Sequence, residues 1–137
     1  MLHPVTAHLA DTNTPAARIA PHVADRTHRA RPRQDSLPVA GAEIAARLAE
    51  YFTPGALPVQ QVLALAEEAG EFTAAYRRWA GMARRTGTWD EVEAELADVV
   101  ITAYVTAAVL GIDLDAAARA KTAVIFTRGW RQPPPAA

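Results

Sequence analysis

Residues 88–111 read TWDEVEAELADVVITAYVTAAVLG, and this stretch decides the fold. Thr88 is followed three residues later by Glu91, which is the pattern of a capping box at a helix start, and Gly111 suits the position just after a helix end. Between Val99 and Leu110 the helix would be apolar on every side, and such a helix must be covered all round. The stretch therefore predicts a long helix that a homo-oligomer covers.

Three further helices are predicted around this one. The first covers residues 42–52, ahead of a Thr-Pro-Gly break. Pro58 suits the first turn of the second, which runs to about Ala80 with apolar residues spaced three and four apart. Asp113 can cap the last, which extends to about Thr127. The short loop between the two long helices predicts antiparallel packing. No segment alternates as a strand does, so the predicted fold is all-α, a four-helix-type bundle completed by oligomerisation.

The two ends of the chain differ from this helical part. Residues 1–38 contain all four histidines and show no helical or strand period, so they are predicted to be a flexible, mildly basic arm. Residues 39–131 form the predicted helical domain, and the proline-rich residues 132–137 form a tail. The arginines of residues 18–33 leave a nucleic-acid adaptor open as a weaker alternative, because no aromatic residue is interleaved with them.

Composition excludes several kinds of site. The chain has no cysteine, so disulfides, zinc-thiolate sites and thiol nucleophiles are ruled out. A net charge of −1 argues against nucleic acid as the main partner. The longest strongly apolar run, residues 99–110, is shorter than the roughly 20 residues that a membrane-spanning helix needs. No secretory signal is visible either, and we expect a cytoplasmic protein without a membrane partner.

Acidic side chains recur at helical spacing on the two long helices. Glu68 and Glu71 are three residues apart on one, and Glu95 and Asp98 repeat that spacing on the other. If the helices are antiparallel, both pairs can face one crevice, with Glu67 close by. Convergent carboxylates repel one another unless a cation is present, and an all-oxygen set favours Mg²⁺ or Mn²⁺. The alternative is a set of solvent-facing charges on amphipathic helices.

The same residues resemble a family signature. Residues 67–71, Glu-Glu-Ala-Gly-Glu, are followed after 23 residues by Glu-Leu-Ala-Asp at 95–98. This pair is similar to the EExxE…ExxD signature of the MazG-like, all-α nucleoside triphosphate pyrophosphohydrolases. Residues 111–115 and the Ala-Lys pair at 120–121 also look like that family. The resemblance covers roughly residues 57–131.

The resemblance implies a dimeric or tetrameric helical bundle that cleaves a nucleoside triphosphate to the monophosphate and pyrophosphate. Glu67 would be the base that acts on the attacking water, and Lys121 and Arg128 would contact phosphates. The implied Mg²⁺ ligands are Glu68, Glu71, Glu95 and Asp98.

Two residues at the end of the second helix are further candidates for substrate binding. Arg78 belongs to a basic segment that could hold the triphosphate tail, although a solvated loop explains it equally well. Trp79 could stack on a base, but its place on the apolar stripe favours core packing.

The sequence departs from the family at two positions that concern nucleotide contacts. Ile125 stands where many members have asparagine, and Thr102 stands where many have tyrosine. The alternatives that stay open are a phosphoribosyl-ATP pyrophosphohydrolase and a nucleotide-binding or structural helical module with reduced turnover.

Overall fold

A computed structural model describes residues 36–53 and 55–129 of the chain, and this part is all-α, with no strand. The all-α part of the predicted fold is thereby confirmed. The predicted tail, and the predicted arm up to residue 35, lie outside the described residues. The four helices are α1 (Leu37–Leu48), α2 (Ala56–Trp79), α3 (Trp89–Leu110) and α4 (Leu114–Arg128).

The central helix is α3, because both α1 and α2 pack along it. The hydroxyl of Thr106, near the C-terminal end of α3, donates to the carbonyl of Gln61 near the start of α2, at 3.2 Å. At the opposite end of the pair, the rings of Trp79 and Trp89 meet edge to face with centroids 4.7 Å apart. The two long helices are therefore antiparallel, as the short connecting loop predicts.

The helix ends follow the capping rules. Thr88 accepts from the backbone N–H of Glu91, and the Glu91 carboxylate accepts from the N–H of Thr88, so the predicted capping box is present. Gly111 ends α3 with φ of 68°, in the left-handed region that glycine tolerates best. Asp113 accepts from the N–H of Ala116 and so caps α4. All three predicted caps are confirmed.

The first helix lies earlier in the chain than predicted. It begins at Leu37 and ends at Leu48, whereas the sequence indicated residues 42–52. Pro38 explains the early start, because proline fits the first turn of a helix, where its missing N–H leaves no hydrogen bond unmade. After Leu48 the backbone tightens, and the N–H of Tyr51 bonds to the Leu48 carbonyl, three residues back. Leu37 and Pro38 therefore belong to α1 and not to the flexible arm to which the sequence assigned them.

A large apolar surface stays uncovered in the described part of the chain. No large side chain there is fully buried, and α4 contributes no buried residue at all. Phe126 on α4 is 81% exposed. On α3 the exposed large apolar residues are Leu96, Val100, Ile101 and Leu110.

None of the four described helices is by itself long and apolar enough to cross a membrane. Taken together across a bend of 111°, α3 and α4 reach the length and composition of a broken span.

The packing of α1 on α3 depends on a glycine at their crossing. A Cβ added to Gly41 would lie 2.9 Å from both the backbone carbonyl carbon and the Cβ of Tyr104. Gly41→Ala should therefore force the two helices apart and lower the free energy of unfolding by about 1–3 kcal/mol in urea titrations. Gly70→Ala, in the middle of α2 with no atom within 4 Å of the new methyl group, should raise it by about 0.5–1 kcal/mol. Equal effects of the two substitutions would contradict this packing.

Candidate metal centre

Three carboxylates from two helices converge between α2 and α3. Glu68 and Glu71 lie one turn apart on α2, and Glu95 lies on α3. Each offers one carboxylate oxygen, and these three oxygens all lie within 4.8 Å of one another. The antiparallel packing of the helices brings them together, as the spacing of the motifs predicts.

The remaining predicted acidic residues lie around this triad. Asp98, one turn beyond Glu95, is exposed and lies outside the closely spaced group, but its charge acts on Glu68. Glu67 is exposed, and its charge has the weakest of the effects on Glu68. The structure thus distinguishes a tight triad from two peripheral acids.

The surroundings of Glu68 disfavour the charged form of its carboxyl group. Loss of solvation raises the pKa of Glu68 above its ordinary value of 4.5. Repulsion from neighbouring carboxylates raises that pKa further, most strongly from Glu71, then from Asp98, Glu95 and Glu67. In the described residues, the two ion pairs are Arg47–Glu43 and Arg78–Glu91, so neither neutralises the triad.

The chemistry of the three carboxylate oxygens determines which ions this site could bind. Three carboxylate oxygens at this spacing can bind one hard divalent cation, and they offer no nitrogen or sulfur to a softer metal. The cation would also remove the repulsion that raises the pKa of Glu68. Groups of exposed carboxylates also occur without a metal, so the raised pKa and the convergence from two helices matter here more than the number of acids.

The two predicted substrate residues on α2, Trp79 and Arg78, make contacts that support the structure at the end of the helix. Trp79 is only 7% exposed and packs between Tyr76 and Trp89. Its indole therefore contributes to the core at this end of the helix pair. Arg78 places its Nε 4.0 Å from the carboxylate of Glu91, the residue of the capping box.

The predicted phosphate contacts lie on α4, which carries none of the triad residues. Lys121 and Arg128 are exposed, and α4 forms no extended packing contact with α2 in the described part of the chain. Neither side chain forms an ion pair with an acidic residue of that part. In the described part of the chain, then, three of the four predicted metal ligands come together, and neither of these two cations forms an ion pair with them.

The hydrogen bond between Tyr104 and Asp115 was not predicted from the sequence. The hydroxyl of Tyr104 donates to the carboxylate of Asp115 at 2.7 Å and so connects α3 to the first turn of α4. Tyr104 belongs to the apolar run of α3. Its hydroxyl was the sequence signal for such a contact, because a partly buried tyrosine hydroxyl usually finds a hydrogen-bond partner.

Comparison of the chain with protein-family models, with curated proteins and with solved structures gives no match.

The raised pKa of Glu68 predicts how stability depends on pH without metal. A carboxyl whose pKa is higher in the folded state stabilises the fold at low pH, and this stabilisation is lost as pH rises from 4.5 through the folded value. Glu68→Gln removes the charge, so without divalent cations it should melt at a higher temperature than wild type at pH 7. The difference should shrink towards pH 4. Glu50→Gln, an exposed carboxylate after α1, is the matched control, and equal pH profiles for the two variants would contradict the assignment.

Proposed function

We propose that the chain is a Mg²⁺-dependent hydrolase, with Mn²⁺ as a substitute, that converts a nucleoside triphosphate to the monophosphate and pyrophosphate. The observation that carries this proposal is the convergence of Glu68, Glu71 and Glu95 from two antiparallel helices. Their order along the chain is that of the MazG-like signature. Asp98 completes the ligand set from the edge of the triad.

The donor chemistry supports a divalent cation at this place. All of the candidate ligands are carboxylates, which are the groups that Mg²⁺ takes from proteins in phosphate-binding sites. A bound cation there would neutralise charge on the triphosphate and polarise the phosphoryl group that is attacked.

Glu67 has the role of general base in this proposal. It is exposed beside the triad and so keeps its oxygens free to accept a proton from water. That water attacks the α-phosphorus. The bond between the α-phosphorus and the oxygen that bridges the α- and β-phosphates breaks, and pyrophosphate leaves. Water is the expected nucleophile because the chain has no cysteine and its one serine, Ser36, precedes α1.

A second copy of the chain is part of the proposed enzyme. The exposed apolar residues of α3 and α4 would be covered in a homodimer or homotetramer. Lys121 and Arg128 lie on α4, which makes no extended packing contact with the helices that carry the triad in the described part of the chain, so we propose that assembly brings these cations to the triphosphate. Trp79 is mostly buried, and Arg78 lies near Glu91, so these two act mainly in supporting the helix end.

A binding module without turnover is the second candidate function. It is favoured by Thr102 and Ile125, which replace residues that contact nucleotides in the family. Such a module would be stabilised by metal and nucleotide but would release no pyrophosphate. Phosphoribosyl-ATP belongs in the same test, as an alternative substrate of the same chemistry.

The test is pyrophosphate release from a panel of canonical, deoxy and modified nucleoside triphosphates and phosphoribosyl-ATP, with Mg²⁺ or Mn²⁺. Glu67→Gln should lower kcat by about 10²–10⁴-fold, because a general base contributes about that much, while Mg²⁺ still raises the melting temperature. Glu68→Gln should lose both turnover and the stabilisation by Mg²⁺.

The matched control is again Glu50→Gln, which should keep both properties. Full turnover in Glu68→Gln would contradict the proposed site. Nucleotide-dependent stabilisation with no product from any substrate would favour the binding module.

A further inference from the structure

The strongest unexplained feature outside the acidic triad is the way in which α4 is held. The helix has no buried residue, and in the described part of the chain it packs extensively against no other helix. A helix of this length is marginal in water unless tertiary contacts support it. Its orientation must therefore come from a small number of contacts near its start.

The joint between α3 and α4 does not fix that orientation by itself. The axes bend by 111° across the short segment between the helices. Two backbone hydrogen bonds close the end of α3, from the N–H of Gly111 to the Ala108 carbonyl and from the N–H of Ile112 to the Ala107 carbonyl. Both lie within the turn and neither reaches α4. A contact beyond the turn is therefore needed to set the angle of α4.

That contact is the hydrogen bond from Tyr104 to Asp115. Among the hydrogen bonds of the described residues, it is the one that ties a side chain of α4 to another helix. It is partly buried, and its donor and acceptor oxygens lie 2.7 Å apart, a typical distance for a hydroxyl that donates to a carboxyl oxygen. Gly41 on α1 passes close to the backbone and Cβ of Tyr104, so α1 and α3 are packed closely at the residue that donates this bond.

The same bond determines which face α4 presents. Lys121 and Arg128 are seven residues apart, so they share one face of the helix to within roughly 20°. Asp115 precedes Lys121 by six residues and lies about 120° away around the axis. Anchoring Asp115 to α3 therefore fixes the rotation of α4 and, with it, the direction of both cations.

We propose that the Tyr104–Asp115 hydrogen bond is a latch that sets the angle and rotation of α4, and that Tyr104 and Asp115 are positioning residues for Lys121 and Arg128. The first half of this inference stands on the fold alone. The second half rests on the proposed function, in which the two cations contact the triphosphate.

The latch can be tested by distance measurements within one chain. Because the protein has no cysteine, spin labels can be attached at Ala74→Cys on α2 and Ala123→Cys on α4, both exposed positions. Labelled protein is diluted with unlabelled protein so that only distances within a chain are recorded. Tyr104→Phe, which removes only the hydroxyl, should broaden or shift the distance distribution.

Two comparisons separate the latch from a general loss of structure. Tyr51→Phe removes the hydroxyl of a tyrosine that is 83% exposed, and it should leave the distribution unchanged. Asp115→Asn keeps a carbonyl acceptor for Tyr104 and should restore part of the order that Asp115→Ala loses. In Tyr104→Phe, amide hydrogens of α4 should exchange about tenfold faster while those of α2 keep their rates.

The outcomes distinguish this inference from the proposed function. An unchanged distance distribution in Tyr104→Phe overturns the latch, whatever the enzyme does. A broadened distribution together with a raised KM for the triphosphate and a nearly constant kcat supports both halves. A broadened distribution with an unchanged KM overturns the link to Lys121 and Arg128, whereas lack of turnover in the wild type contradicts the proposed function alone.

Discussion

The structure depends on the antiparallel packing of α2 against α3. The Thr106–Gln61 hydrogen bond near one end of the pair and the Trp79–Trp89 contact at the other keep the two helices in register. If the register of either helix changed by one residue, its acidic side chains would point about 100° away from their present direction, and the triad would be dispersed. The contacts at the two ends of the helix pair therefore define the chemistry at its middle.

This packing is maintained against a repulsive interaction. Glu68, Glu71 and Glu95 would separate if their charges alone decided. The pKa of Glu68 is raised first by loss of solvation and then by repulsion from its acidic neighbours. The energy must come from apolar contacts on the same helices, of which Ala75 and Val105 are among the most buried. An arrangement that loses stability through like charges is typical of functional sites, where a bound ligand recovers it.

Local sequence rules predicted most of the fold. Each successful prediction, such as the capping box at Thr88 and the left-handed Gly111, depends on residues close together in sequence. The start of α1 was missed because Pro38 was assigned to the arm, although proline is also typical of a first helical turn. The acidic triad could be predicted because helical spacing and one antiparallel pairing were enough to place it.

The orientation of α4 could not be predicted from the same rules. It depends on a hydrogen bond between Tyr104 and Asp115, eleven residues apart across a turn. This bond does not follow from periodicity. The positions of Lys121 and Arg128 relative to the triad depend on that angle and, in the proposed enzyme, on a second copy of the chain, so spacing alone could not determine them.

The central claim is that the triad binds a divalent cation, and anomalous scattering from crystals grown with Mn²⁺ tests it most directly. The account predicts an anomalous peak between α2 and α3, within coordination distance of carboxylate oxygens of Glu68, Glu71 and Glu95. Density without a peak at this place, or carboxylates turned apart into solvent at saturating Mn²⁺, would contradict it.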